Sequence, residues 1–130
     1  MNNLEVEKEA IKYLKTKYKD KVIEKKKKGA YDLFINRNRY ELKSTTLSPQ
    51  KIYFRYLRES TYWEIQNSKY LGLIIVYNVG KPNKITHVRF SNNELRGMID
   101  SKPEKWYKLK VDPDIVKKKI KRKNSETVIK

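Results

Sequence analysis

Residues 71–79 (LGLIIVYNV) limit what this chain can fold into more than any other stretch. They are its most apolar run, in a chain whose Lys and Arg number 32 against 15 Asp and Glu. A run this short and this apolar reads as a strand buried on both faces. Such a strand needs a covering layer on each side. The chain is therefore expected to build a sheet around it and to pack helices on that sheet. Hydrophobic residues make up 38% of 130 positions, and ten tyrosines supply much of the area available for burial. That suits one domain with one core, without internal repeats.

The remaining elements are read from periodicity and punctuation. Val6, Ala10, Ile11, Leu14 and Tyr18 recur at helical spacing, which predicts a helix over 3–19 with Asn3 as its cap. Glu5, Glu7 and Glu9 fall in its first half, where the helix dipole favours negative charge. Residues 21–24 read as a short edge strand, and Lys25 to Gly29 as a basic, flexible entry to a hairpin. In that hairpin, residues 31–35 and 39–43 alternate as two strands around Asn36-Arg37-Asn38. Residues 44–50 form a loop, and 51–57 (KIYFRYL) a third strand. A helix is expected from residues 58–60 to about Tyr70, capped by Ser60 or Thr61. After the apolar strand, Gly80 to Asn83 make a turn and 84–90 return as its partner. Ser91 to Glu94 resembles a capping box, starting a short helix to about Ile99. Residues 105–111 are a late strand, and Pro113 opens a basic helix that frays from Asn124. The predicted class is α/β, a mixed central sheet flanked by helices. Residues 1–112 form the domain, and 113–130 a basic helix and tail, either within it or appended as an arm.

With no cysteine there is no disulfide, thiol catalysis or zinc–thiolate site. A single histidine, His87, excludes a multi-histidine metal cluster within one chain. It reads as a half-exposed strand residue without a role. Metal chemistry here needs oxygen ligands, which suits Mg2+ or Mn2+. The hairpin at 31–43 offers such ligands. Tyr31, Leu33, Ile35, Tyr40 and Leu42 fall on a core face, leaving Asp32, Phe34, Arg39, Glu41 and Lys43 on the other. If the turn centres between Asn36 and Arg37, Asp32 lies opposite Glu41 on the same side of the sheet. A one-residue slip separates them. Two carboxylates so placed can seat a hard cation, and a lysine two residues on can orient a water or offset developing charge. The plainer reading is a surface hairpin of alternating charges.

The string from Asp32 through Glu41-Leu42-Lys43 resembles the core motif of the PD-(D/E)xK nuclease superfamily, with Tyr31 where that motif often has proline. Residues 7–14 (EKEAIKYL) are similar to the first helix of archaeal Holliday junction resolvases. The middle of the chain, with Glu41 to Thr45 and Trp63-Glu64 before an apolar strand, also resembles NO VEIN-type C-terminal domains. Together these resemblances span roughly residues 5–90. They imply a restriction endonuclease-like fold and a metal held by Asp32, Glu41 and the Leu42 carbonyl. They also imply a catalytic Lys43 and a metal contact from Glu7 through water. Glu7 shares a face with the helix's apolar residues, and Glu5 and Glu9 are the alternatives. The activity implied is metal-dependent endonuclease cleavage of DNA, of branched or nicked form among the options.

A formal net charge of +17 calls for a polyanionic partner. DNA is expected, and RNA is not excluded. Lys25, Lys26, Lys27 and Lys28 stand just before the hairpin. Arg55 and Arg58 flank the third strand and the helix after it. Lys117, Lys118, Lys119, Lys121, Arg122 and Lys123 lie on the last helix. All are candidates for phosphate contact. Ser44 and Thr45 could bond a phosphate or simply begin a polar loop. Tyr53, Phe54, Tyr56, Tyr62 and Trp63 are core aromatics first and base-stacking residues second. No apolar signal region and no membrane-length run is present, so the expectation is a cytoplasmic protein without a membrane partner. A homodimer, cutting two strands, is one expected arrangement. The rival readings are a non-catalytic nucleic-acid-binding module, a ribonuclease and a basic interaction protein of unrelated α/β fold.

Overall fold

A computed structural model describes residues 1–27, 30–50, 53–100 and 107–129, and for 20, 23–27, 30–32, 53–55 and 123–129 it describes the backbone alone. In chain order the elements are α1 (Asn3–Tyr18), β1 (Val22–Lys27), β2 (Ala30–Ile35), β3 (Asn38–Ser44), β4 (Tyr53–Leu57), α2 (Glu59–Gln66), β5 (Gly72–Tyr77), β6 (Thr86–Ser91), α3 (Asn92–Gly97), β7 (Ile99–Asp100), β8 (Tyr107–Val111) and α4 (Pro113–Ile129). The protein is a mixed α/β fold. Its main sheet has the order β1-β2-β3-β5-β6, antiparallel throughout except for the parallel pair β3 and β5. A second, antiparallel sheet has the order β4-β8-β7.

The apolar run forms β5, and all six of its residues are buried. Ile74 and Val76 face α1, packing with Val6, Ala10, Ile11, Leu14, Leu33, Tyr40 and Leu42. Leu73, Ile75 and Tyr77 face the other way, into a cluster with Ile65, Leu95, Leu109 and Val116. Apolar contact thus lies on both sides of one sheet, as a doubly buried strand requires. Gly72 allows β6 to come this close. A β-carbon there would sit 2.0 Å from the Phe90 carbonyl oxygen.

Several expectations are corrected. The cap of α1 is Asn2, whose side chain accepts from the Glu5 N–H at 2.9 Å. Lys25 to Lys27 are not a loose entry but part of β1, paired with residues 30–32. β1 is an edge strand, where lysine guards against pairing with another chain. β4 does not join the main sheet, because β5 takes the place beside β3. α2 stops at Gln66 rather than near Tyr70, and its Arg58 cap makes no side-chain hydrogen bond. Ser68 turns left-handed with φ 58°. Its N–H reaches Ile65 O at 3.1 Å, and Lys69 N–H reaches Glu64 O at 2.8 Å. That pattern closes a helix normally ended by glycine. α3 does carry the expected capping box between Ser91 and Glu94. α4 remains helical to Ile129, beyond the expected fraying point. After Pro113 the chain has no proline or glycine to stop it. Among the described residues no helix is long and apolar enough to cross a membrane.

Candidate metal and nucleic-acid site

β2 and β3 are joined by two residues, Asn36 and Arg37, with φ of 52° and 68°. Positive φ at both positions is the hairpin turn whose twist matches the strands. The turn sets the register Ile35↔Asn38, Phe34↔Arg39, Leu33↔Tyr40. The paired stretch ends at Leu33↔Tyr40, so Asp32 and Glu41 stand one position beyond it, and Asp32 is paired on its other side with Lys25 of β1. Leu33, Tyr40 and Leu42 are buried on the α1 side. Glu41 and Lys43 alternate with them and so face the other layer, beside Leu73 and Ile75 of β5.

Glu41 and Lys43 are mostly shielded, with side chains 18% and 21% exposed, and Lys43 Nζ lies 3.4 Å from Glu41 Oε1. Arg39 precedes them on the same face. Its guanidinium donates to Glu64 Oε2 at 2.6 Å and lies 4.2 Å from the centroid of the Tyr70 ring. Along one strand the sheet thus presents guanidinium, carboxylate and ammonium. α2, through Glu64, holds the first. The Asp32 side chain lies outside the described residues. Among those that are described, no three Asp, Glu, His or Cys side chains converge as a metal cage. Glu7 is half-buried on α1, the helix that covers the opposite face of the sheet from Glu41.

The remaining predicted residues are spread across the molecule. Ser44 is the last residue of β3, half-buried. Thr45 is buried, and its hydroxyl accepts from the Leu47 N–H at 3.1 Å. Arg58 is exposed at the start of α2. Lys117, Lys118, Lys121 and Arg122 are exposed on α4. Lys119 instead contacts the Glu94 carboxylate at 2.9 Å and lies 4.9 Å from the Phe90 ring centroid. Burial pushes the Glu94 carboxyl up. Hydrogen bonds from Ser91 and Lys119 and the ammonium charge outweigh it, holding the group below its ordinary value. Lys28 and the side chains of Lys25, Lys26, Lys27, Arg55 and Lys123 lie outside the described residues.

Three features escaped the sequence reading. His87 is buried rather than half-exposed, with 6% accessible. Its Nδ1 is 2.9 Å from the Tyr13 hydroxyl and its Nε2 3.3 Å from that of Tyr18. Burial, with Tyr18 alongside, pushes the Tyr13 phenol up to about 12. Tyr62 stacks on Tyr107 at 3.7 Å, while Trp63 and Tyr56 are largely exposed. Lys81, read only as a turn residue, and Lys84, read only as the start of the returning strand, line one cleft with Lys117. The lysine spacing could have flagged the last; nothing local links His87 to α1.

The fold and these groups define an α/β protein with a half-buried carboxylate–lysine pair on a mixed sheet and a strong positive charge. No family model, curated protein or solved structure matches the chain.

Proposed function

We propose that the chain is a divalent-metal-dependent endonuclease that hydrolyses DNA phosphodiester bonds. The observation that carries this reading is that Glu41 and Lys43 share one shielded face of β3, and continuing the β2–β3 register one pair past Leu33↔Tyr40 would set Asp32 opposite Glu41. The placement of the hairpin supports it too. α1 precedes it, and a crossover containing α2 leads to β5 parallel to β3. With β4 between the hairpin and α2, that is the helix–hairpin–strand–helix–strand order in which the resemblance to PD-(D/E)xK nucleases has meaning, although β4 lies in the second sheet.

The donor chemistry fits a hard cation: Asp32 and Glu41 offer carboxylate oxygens and Leu42 a backbone carbonyl. Mg2+ or Mn2+ bound there would supply Lewis acidity and an acidified water. The protein's own part is positioning. Glu41 keeps the Lys43 ammonium on the reacting face, where it can donate to a phosphate oxygen or hold the attacking water. The limited exposure of both groups strengthens these interactions relative to open water. Glu7, on the helix over the other face, is given no part.

The 3.4 Å contact between Glu41 and Lys43 also favours a second reading, in which they neutralise each other within a binding module that does not cut. One experiment separates the two. Wild type, Asp32→Ala, Glu41→Ala and Lys43→Ala are incubated with linear, nicked, branched and single-stranded DNA and with RNA, with and without Mg2+ or Mn2+. The nuclease reading expects cleavage by wild type only with metal, reduced by at least about a hundredfold in each variant. Binding without cleavage under any ion leaves the module. Variants as active as wild type remove the site, and cleavage confined to RNA changes the substrate.

A further inference from the structure

The geometry points to a nucleotide-binding cleft at the carboxyl end of the parallel pair β3 and β5, separate from Glu41 and Lys43. The chain leaves both strands at this end. Residues 48–50 after β3 and 78–84 after β5 meet the first turns of α4, enclosing about 660 Å3. That is within the range of small-molecule sites. Crevices beyond the carboxyl ends of strands are where open α/β sheets commonly take ligands.

The lining selects the chemistry. Lys81, Lys84 and Lys117 all line one concavity, whose lining has a single acidic residue, Asp114. Like charges gathered between low-dielectric walls focus a positive potential that a phosphate would offset. Pro49 and Ile120 supply apolar wall, suited to the flat or carbon-rich part of the same ligand.

The lysine-bearing turn is built in advance. Asn78, itself buried, has φ 57° and donates from Nδ2 to Lys84 O at 3.1 Å. Its N–H bonds Leu47 O at 2.9 Å, tying this turn to the exit from β3. The N–H groups of Lys84 and Ile85 both donate to Lys81 O at 2.9 Å. Lys81 Nζ donates to Thr46 O at 3.2 Å, a second link between this turn and the exit from β3. A preformed turn spares a ligand the cost of ordering it. A nucleotide supplies both halves of what the lining asks for: phosphate for the lysines and a ring for the apolar wall. None of Asp32, Glu41 or Lys43 lines the cleft, so this site and the proposed hydrolytic one can fail independently.

The test is calorimetric titration with deoxythymidine 3′,5′-bisphosphate, inorganic pyrophosphate and thymidine. The proteins are wild type, Lys84→Glu/Lys117→Glu, and a control with the same charge change on the exposed side of α1, Lys8→Glu/Lys12→Glu. The bisphosphate should bind wild type most tightly of the three probes. Its affinity should fall by about tenfold or more in the cleft variant and by no more than about twofold in the control. All the substituted lysines are exposed, and circular dichroism verifies that the variants fold. Equal losses in both variants would mean that net charge alone binds the probe, and the cleft assignment falls. Pyrophosphate binding as tightly as the bisphosphate would overturn the nucleotide assignment. With the site upheld, displacement of the bisphosphate by an oligothymidylate identifies a nucleotide within a strand as the ligand. Failure to displace it identifies a free nucleotide.

Discussion

A buried imidazole must find partners, and His87 finds two in residues 74 and 69 positions away. A neutral ring donates from one nitrogen and accepts at the other, so two hydroxyls, which can do either, complete it. Substituting His87→Leu leaves both phenols without that partner and should lower the unfolding free energy by about 2–4 kcal/mol. Urea denaturation would check this, and a loss under about 1 kcal/mol would show the contacts to be incidental. Tyr13 adds a pH signature. Its folded pKa, about 12, lies above the ordinary 10.0. The stability it contributes is therefore whole below pH 10 and drains away as pH rises toward 12. Comparing the alkaline unfolding of wild type and Tyr13→Phe would isolate this share, which the variant should lack. The periodicity of α1 put Tyr18 on the sheet-facing side. His87 gave no local sign of burial, because its partners come from the other end of the chain. Glu41 and Lys43 were legible for the opposite reason: strand alternation alone places them on one face.

Helices and strands were readable where their ends carry strong local chemistry. The capping box at Ser91 and Glu94 is one such end, and Pro113 at the first position of α4 another. Ser91→Ala should therefore cost about 1 kcal/mol. Glu94 makes part of that contribution pH-dependent. Its folded carboxyl titrates below the ordinary 4.5, so its stabilisation is present above 4.5 and lost as pH falls through the lower, folded value. The end of α2 was not legible, because a serine occupies the left-handed position where sequence reading looks for glycine. Ser68→Gly relieves that strain, at the cost of a looser unfolded chain. The net expectation is a stabilisation of about 0.5 kcal/mol, measurable as a raised denaturation midpoint. A lowered midpoint would show that the Ser68 side chain holds the turn. β4 was recognised as a strand but its sheet was not. Which strand lies beside β3 was decided by β5, whose six buried residues take a central position.

At the scale of the whole molecule, the question is whether residues 113–130 belong to the fold or trail from it. Composition could not decide, since six basic residues in seven describe an arm as well as a helix. For the first turns of α4, packing gives the physical answer. Val116 is fully buried among Leu57, Leu95, Leu109 and Phe90, and Ile120 packs against the same group. The exposed cations of α4 are thus carried on a helix seated over one face of the main sheet. Two consequences separate cleanly. Val116→Ala should destabilise the protein by about 2 kcal/mol, because the cavity opens within a shared core. On the proposed function, it should leave DNA affinity and its salt dependence unchanged at temperatures where the variant is folded. Lys118→Glu/Lys121→Glu should do the reverse. Stability should hold, while the slope of log affinity against log salt falls by roughly 0.9 for each phosphate contact removed. Denaturation and salt-titrated binding on the two variants together decide the matter. A neutral Val116→Ala would detach α4 from the core, and an unaltered salt slope in the charge variant would take its lysines away from DNA.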